Sequence, residues 1–496
     1  MLGPIGDALQ LAWGLLYWNF RKTVFRARRD RVPCPCQTPS DSGRAWETGC
    51  EPSILLRKPA RFRRVCPLLR QDAQGRWRCS VDTADVRPFW GRAAVIAAAT
   101  ALAVFVLGSL GAWGLLRQRG YPLGYVDVAW PGRWSEFHLA QSRVFAQRAQ
   151  RALDRGDVPD AIMSLAVSFR LDPSNYALGR VLAQLTQFGQ PGLADQTYSQ
   201  LLQLHPDRAA ETLAAWNEAL LWRADFAAVE TVSREGLLRD PGHTTAWLHS
   251  LIFAVRRSPN DALLRELAAG KKLDVRSVAE LELRTHETPE AARAALLELP
   301  PIGASPYLEY YRPRRLLELG YPEDALALLE HSRLPMRDRI ALRLDALTLL
   351  DRTSAVETEI GAILSAQSDV TTVELLSAYL VRHPNSGLLA GLFAAVSAHP
   401  LPTDAGGYRA WAGLLCAAAA SGDFGRFREA GAEMKRISGT EFRALKQVEA
   451  FFRGEGASSR IESYLPAMQP LPSEVTLALL ERYYQPRPPA SVAKQP

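Results

Sequence analysis

Five of the six cysteines lie in the first 91 residues of the 496-residue chain, where no histidine accompanies them. The candidate metal ligands are the thiolates of Cys34, Cys36, Cys50, Cys66 and Cys79. Zinc accepts four such soft ligands, and a closed thiolate site adds folding free energy to a segment with too few apolar residues for a core of its own. We therefore expect a structural zinc ion held by four of the five cysteines. One CxC followed by three isolated cysteines also leaves disulfides and free thiols open.

The rest of the chain shows no catalytic motif. Phosphate-binding, zinc-protease, hydrolase and dinucleotide-binding signatures are absent, and the eight histidines are scattered singly after residue 137. His205 and His383 each precede a proline and are interpreted as turn residues. The acidic residues around His286, namely Glu280, Glu282 and Glu287, are interpreted as the solvated face of a helix. The sequence thus predicts a binding protein and no enzyme.

Charge divides the chain into two parts. Residues 1–91 contain sixteen Lys or Arg against eight Asp or Glu, a net charge of +8, so the remaining residues sum to −1 of the total +7. No recognised nucleic-acid-binding motif accompanies the basic residues, and we expect no nucleic-acid partner. A basic segment is instead typical of contact with anionic lipid when it adjoins a membrane helix, and the run that follows this segment predicts such a helix.

An uncharged run of twenty-four residues, 93–116, separates these two parts. At 1.5 Å per residue a helix of that length measures about 36 Å, enough to cross a hydrocarbon core of roughly 30 Å. We predict a single transmembrane helix followed by a linker, 117–134. The small residues Gly108 and Ala112 also leave open a homodimer formed through this helix.

Residues 1–30 are interpreted as an interfacial amphipathic helix, too short in its apolar part to cross a membrane. The apolar side chains expected in the headgroup region are Leu9, Trp13, Leu16, Tyr17 and Phe20. The basic side chains expected to meet anionic lipid are Arg21, Lys22, Arg26, Arg28 and Arg29. The alternative is a helix that packs on the basic cysteine-rich module, 31–91.

The orientation in the membrane follows from charge and from the cysteines. A basic segment with an odd number of cysteines suits the reducing cytosol, so we expect a cytoplasmic N-terminus and an extracytoplasmic C-terminal part. The chain has 52 Arg and 7 Lys, which is typical of bacteria with GC-rich genomes and suggests a bacterial inner membrane.

A repeat begins after about residue 135. Gly156, Ala161 and Pro173 have counterparts at the same offsets, Gly189, Ala194 and Pro206, and loosely at Ala224, Val229 and Pro241. The glycine closes a tight turn, the small residue lets two helices approach, and the proline ends the unit. The pattern resembles the tetratricopeptide repeat (TPR), a helix-turn-helix unit of about 34 residues, over 140–332 and more weakly to 480.

This resemblance implies an all-α, TPR-like solenoid over 135–480 whose groove binds proteins or peptides. Residues 481–496 are rich in proline and are expected to form a disordered tail. Together the features predict a membrane-anchored scaffold for partner proteins, in envelope assembly or polymer export. The alternative is a transmembrane signalling protein with a cytosolic cysteine module that responds to metal or redox state.

Overall fold

The computed structural model describes residues 3–28, 38–39, 46–47, 63, 66, 68–75, 77–79, 87–300, 305–366, 369–440, 442 and 444–485. The chain divides into two compact units, Met1–Val144 and Phe145–Pro496. Three of the predicted zinc ligands, Cys34, Cys36 and Cys50, lie outside the described residues, as does most of the predicted tail.

The N-terminal unit contains long helices and two short antiparallel ribbons. Its elements are α1 (Gly3–Ala27), β1 (Thr38–Pro39), β2 (Trp46–Glu47), β3 (Leu69–Gln71), β4 (Trp77–Cys79), α2 (Trp90–Gln118), α3 (Tyr125–Ala129) and the start of α4 (Trp134–Asp154). Strand β1 pairs with β2, and β3 pairs with β4 so that Leu69 lies opposite Cys79.

Helix α1 packs on the cysteine-bearing hairpin and on the start of α2. Leu15, Cys66, Leu69 and Ala93 form one buried apolar cluster. The Asn19 side chain accepts a hydrogen bond from the backbone N–H of Phe89 at 2.7 Å, a group at the beginning of α2 that has no partner within its own helix. The alternative prediction, a helix packed on the cysteine-rich module, therefore describes one face of α1.

Lys22 differs from the sequence-based expectation. Its side chain is buried, and Nζ donates to Cys66 Sγ at 3.6 Å and lies 5.1 Å from the centre of the Phe89 ring. The predicted lipid contact of Lys22 is therefore wrong, because this residue points to the protein side of α1. Arg29 lies outside the described residues.

Helix α2 contains the whole of the uncharged run 93–116. Within the part of the chain that the structure describes, it is the one helix long and apolar enough to cross a membrane. Only Ala93 is buried along its length, so its apolar side chains are not covered by protein.

The C-terminal unit is a succession of helix pairs. The first helices of the pairs are α4 (Trp134–Asp154), α6 (Tyr176–Thr186), α8 (Ala209–Trp222), α10 (Thr244–Val255), α12 (Leu273–Arg284), α14 (Leu308–Glu318), α16 (Met336–Leu349), α18 (Val370–Arg382) and α20 (Ala405–Ala420). The second helices are α5 (Val158–Leu171), α7 (Pro191–Leu204), α9 (Phe226–Arg239), α11 (Asp261–Ala268), α13 (Pro289–Leu297), α15 (Pro322–Glu330), α17 (Thr353–Ala366), α19 (Ser386–Ala398) and α21 (Phe424–Ser438). Two helices follow, α22 (Leu445–Phe452) and α23 (Ser473–Tyr483). The predicted all-α, TPR-like helix-turn-helix solenoid is confirmed.

The positions that define the repeat have the expected structural roles. Ala161, Ala194 and Val229 are fully buried, so the small side chain is needed where the two helices of a pair meet. Gly156 has a φ of 74°, and Ala224 in the corresponding turn has a φ of 51°. These two turns therefore use a left-handed residue, even where the chain supplies alanine in place of glycine, whereas Gly189 at the same repeat position does not have a positive φ.

The predicted start of the tail, residue 481, is too early. Helix α23 continues to Tyr483, and Tyr484 packs edge-on against Phe226 with the ring centres 4.9 Å apart. Glu481 and Arg482 are also bonded to earlier helices, as described below. Residues 481–484 are therefore ordered by tertiary contacts, although their position next to a proline-rich segment led to the prediction that they belong to a disordered tail.

Candidate functional site

The first helices α10, α14, α16 and α18, the loop before α16 and the last helix α23 line a cavity of about 610 Å³. We call this the first-helix cavity. Its wall combines apolar side chains with aromatic and charged ones, and its volume lies within the range of small-molecule and side-chain binding sites. The polar part of the wall is formed by Thr245, His249, Tyr307, Glu309, Tyr310, Arg314, Arg333, Arg337, Asp338, Asp345, Arg382, Ser473, Glu474 and Glu481.

One side of the cavity is aromatic and uncharged. The His249 ring on α10 lies 5.0 Å from the Tyr310 ring and 5.9 Å from the Tyr307 ring, measured between ring centres. Burial lowers the pKa of His249 to about 4 and raises the pKa of Tyr310 to about 12, and it also raises the pKa of Tyr307. At neutral pH these groups offer a neutral imidazole and two protonated hydroxyls, which can all form hydrogen bonds.

A second part of the wall is built around the buried carboxylate of Asp345 on α16. Arg314 Nη1 lies 3.0 Å from Asp345 Oδ2, while Arg382 Nη2 and His383 Nε2 lie 3.2 Å and 3.0 Å from Oδ1. Burial alone would raise the pKa of Asp345, but the charge of Arg382, the hydrogen bond from His383 and the charge of Arg314 outweigh it. The pKa of Asp345 therefore lies well below its usual range, and the carboxylate stays ionised.

The ion pairs continue along neighbouring first helices. Arg256, at the end of α10, binds the buried Glu282 of α12 through two hydrogen bonds of 2.9 and 3.1 Å, and Tyr311 donates to the same carboxylate. Arg256 also reaches Glu318 at 2.8 Å, and Glu318 contacts Arg314 at 3.2 Å. One ion-pair network thus joins the first helices α10, α12, α14, α16 and α18 to α23. Its members are Arg256, Glu282, Arg314, Glu318, Asp345, Arg382 and Glu481.

Helix α23 forms the last wall of the cavity. Glu481 lies 2.8 Å from Arg314, and the Arg482 guanidinium donates to the carbonyl oxygens of Val381 and Arg382 at 3.1 and 2.9 Å. Val475 and Leu479 are fully buried. The chain therefore covers this part of the face formed by the first helices with its own C-terminal helix, where the sequence suggested an open groove.

These features favour binding over proton transfer. The buried carboxylates Asp345 and Glu282 are each neutralised by arginine, and the lowered pKa of His249 makes its imidazole a weak base. His286, which the sequence placed on a solvated face, lies 3.2 Å from Asp261 and 3.5 Å from Glu282. The aromatic part of the wall remains available for a ligand.

Sequence reasoning missed most of this site. Glu282 was assigned to a solvated face and His383 to a turn, yet Glu282 is fully buried and His383 binds Asp345. A usable signal existed, because Glu282, Arg314, Asp345 and Arg382 recur at intervals close to the repeat length. A charged residue that recurs at this period on first helices indicates contact between neighbouring repeats.

The predicted zinc ligands are only partly described. Cys66 is buried against Lys22, and the backbone of Cys79 pairs with β3. Among the described residues, no group of three or more His, Cys, Asp or Glu side chains is arranged so that it could hold a metal ion. The remaining cysteine, Cys416, is buried in α20, and burial raises the pKa of its thiol to about 12.

Comparison with known proteins does not assign this chain to a protein family. No protein-family model matches it, and no curated protein does. Among solved structures, the chain is similar to the TPR domain of P58(IPK), with 13% sequence identity over 69% of this chain and 93% of that chain and a TM-score of 0.20. The fold assignment accordingly rests on the helix pairs described above.

Proposed function

We propose that the protein is a single-pass membrane scaffold whose helical-repeat array binds a partner protein at the first-helix cavity. The observation that carries the anchoring is α2, a helix of 29 residues whose apolar side chains are exposed nearly throughout. Such a surface is stable in hydrocarbon and costly in water. An extracytoplasmic array on a bacterial inner membrane suits envelope assembly or polymer export.

Polar contacts near the end of α2 indicate how much of the helix lies in hydrocarbon. Ser109 Oγ lies 2.8 Å from the Tyr125 hydroxyl, and Trp113 Nε1 donates to the carbonyl of Leu123 at 3.0 Å. The segment 121–124, between α2 and α3, has irregular backbone, which lipid does not tolerate in the bilayer core. We therefore place the hydrocarbon boundary near Trp113, with Trp113 and Tyr125 at the interface.

The orientation is proposed from the basic N-terminal segment, whose net charge is +8 over residues 1–91. Reporter fusions after Arg87 and after Trp134 test it. A reporter active in the cytosol is expected to respond at the first site and to stay silent at the second. Cytosolic activity at the second site would reverse the assignment.

Partner binding at the cavity is proposed from its neutral aromatic side. His249, Tyr307 and Tyr310 offer ring faces and hydrogen-bonding atoms, whereas the charged groups around Asp345 already bind one another. Aromatic groups of this kind provide much of the affinity of protein interfaces. We therefore expect a polar or aromatic side chain of a partner protein to enter the cavity.

A photo-crosslinking residue at Met336 is expected to capture that partner in cells that make the full-length protein. Met336 precedes the cavity residue Arg337 on α16 and is 68% exposed. The same residue at Leu349, at the other end of α16 and 49% exposed, serves as the matched control. A discrete protein adduct at Met336 that is lost in a Tyr310→Ala background supports the site, whereas equal adducts at Met336 and Leu349 contradict it.

The alternative function, transmembrane signalling through the cysteine module, is favoured by one contact. Lys22 of α1 lies 3.6 Å from Cys66 Sγ, and α1 is hydrogen-bonded to the start of α2 through Asn19. A change at Cys66 would thus act directly on the helix that contacts the membrane span. Lys22 could also offset the negative charge of a Cys66 thiolate in a zinc site.

Metal analysis of the purified full-length protein tests the zinc proposal. One zinc ion per chain is expected, with loss of stoichiometric metal in Cys66→Ser and retention in Cys416→Ser, since Cys416 is buried in the array far along the sequence. Absence of stoichiometric zinc from the unmodified protein would rule out the zinc site and leave disulfides or free thiols.

A further inference from the structure

Helix α1 presents a face of large apolar side chains that no described part of the chain covers. Trp13 is 70% exposed, Leu9 67%, Phe20 62%, Leu16 55% and Tyr17 42%. Their spacing places all five on one side of a helix. We call this side the apolar face of α1.

The opposite side of the same helix is fixed to the protein. Leu15 and Trp18 are each 6% exposed, and Leu15 packs with Leu69 and Ala93. Asn19 binds the backbone of Phe89, and Thr23 Oγ1 accepts a hydrogen bond from Trp90 Nε1 at 2.8 Å. The apolar face is therefore held in a defined direction, because the helix cannot rotate without breaking these contacts.

These contacts also place α1 beside the point where α2 begins its apolar run. Thr23 and Asn19 meet α2 at Trp90 and Phe89, and Leu15 meets it at Ala93, the first residue of the uncharged stretch. All three contacts fall within 89–93, the residue before α2 and its first turn. The apolar face consequently lies close to the beginning of the apolar run of α2.

Charge identifies which partner fits the apolar face. Arg26 and Arg28 are exposed at the C-terminal end of α1, and Arg21 lies over the rings of Tyr17 and Trp18 at 5.6 and 5.2 Å. Two copies of the chain joined through this face with their α1 helices parallel would bring their arginines together and repel each other. Anionic headgroups would neutralise them while the acyl boundary takes up the apolar side chains.

We propose that the apolar face of α1 inserts into the headgroup boundary of an anionic bilayer and forms a second membrane contact, parallel to the surface. This inference rests on the proposed membrane span of α2. It also has a consequence for the cysteine segment. Because Cys66 and Leu69 pack on the other side of α1, the hairpin β3–β4 is held directly above the lipid surface.

Photo-crosslinking in vesicles tests the proposal with the full-length protein. The crosslinking residue replaces Leu16 on α1, Val104 on α2 or Met163 on α5, whose side chains are 55%, 65% and 71% exposed. Vesicles consist of phosphatidylcholine with or without phosphatidylglycerol. Lipid adducts are expected at Leu16 and Val104 and are not expected at Met163, which belongs to the repeat array.

The three positions separate the failure of this proposal from failure of the membrane span. Lipid adducts at Val104 together with a dimer adduct, another protein adduct or no adduct at Leu16 would overturn the contact of α1 and leave the span in place. Absence of lipid adducts at Val104 would overturn the span itself. Lipid adducts at Met163 would show that labelling is unspecific and would remove the support for both.

The arginines provide a second test that depends on lipid charge. Arg26→Gln combined with Arg28→Gln is expected to lower the lipid adduct at Leu16 in anionic vesicles, by up to about fivefold for each arginine, towards the yield in neutral vesicles. Arg148→Gln combined with Arg155→Gln, in the repeat array, is the matched control and is expected to change nothing. Equal yields at Leu16 in anionic and neutral vesicles would contradict the role of anionic lipid.

Discussion

Replacement of Asp345 by alanine is expected to lower the free energy of unfolding of the repeat array by about 3–5 kcal/mol. Asp345 is 4% exposed and binds Arg314, Arg382 and His383. Without this carboxylate, the positive charges of Arg314 and Arg382 lose a buried counter-charge, and each of these side chains is less than a fifth exposed to water. Chemical denaturation of the full-length protein in detergent, followed by far-ultraviolet circular dichroism, measures the effect.

A surface ion pair on the same helix is the matched control. Arg343 on α16 lies 2.9 Å from Glu359, but half of the Arg343 side chain is exposed to water. Glu359→Ala is expected to cost less than about 1 kcal/mol, since water replaces the lost partner. Similar losses for Asp345→Ala and Glu359→Ala would contradict the importance assigned to the buried ion-pair network.

The same network makes the stability of the array depend on pH. Burial would raise the pKa of Glu282, but Arg256 and the hydrogen bonds from Arg256 and Tyr311 lower it to about 2. A carboxylate whose pKa is lower in the folded than in the unfolded state stabilises the fold above its unfolded pKa, and this contribution is lost as pH falls. We expect about 3 kcal/mol to be lost between about pH 4.5 and pH 2, and Glu282→Gln to flatten this dependence.

Replacement of Leu479 by aspartate is expected to unfold the C-terminal pairs of the array, with a loss of more than about 4 kcal/mol. Leu479 on α23 is fully buried, and the neighbouring residues of α23 contact α14, α18 and α20. An ionised carboxylate has no partner there. Hydrogen exchange should show lost amide protection in α18, α20 and α23 and retained protection in α5 to α9.

Leu477→Asp provides the control, because Leu477 lies on the same helix but lines the cavity and is only partly buried. Its effect should be clearly smaller. If Leu479→Asp instead leaves α18 and α20 protected, α23 is a displaceable segment and no integral part of the cavity wall. The comparison therefore decides whether the cavity is permanent or forms only when α23 is docked.

The predictions that succeeded from sequence depend on local patterns. The uncharged run 93–116 predicts a long apolar helix, because an apolar stretch of this length is rarely found in any other secondary structure. The small residues Ala161 and Ala194 and the turn at Gly156 mark helix pairs, because close packing and a left-handed turn each demand a particular residue type at a fixed offset. The all-α repeat fold could therefore be predicted without knowledge of any long-range contact.

The cavity and the protein-facing side of α1 could not be predicted in this way. The exposed apolar face with Leu16 was predicted, but only packing against Cys66 decides that Lys22 on the same helix is buried. A charged residue such as Glu282 looks like part of a solvated surface until its partner from another repeat is known.

The amino-acid sequence by itself determined the long apolar helix, the helix pairs and their period. These features follow from hydrophobicity and steric demands within about 34 residues. Tertiary structure alone decided the ion-pair network and the closure of the first-helix cavity. Arg314, Asp345 and Glu481 meet only because successive first helices stack and α23 returns to them. The physical reason is that a buried charge is stable only beside its partner, and the partner's position is a property of the folded chain.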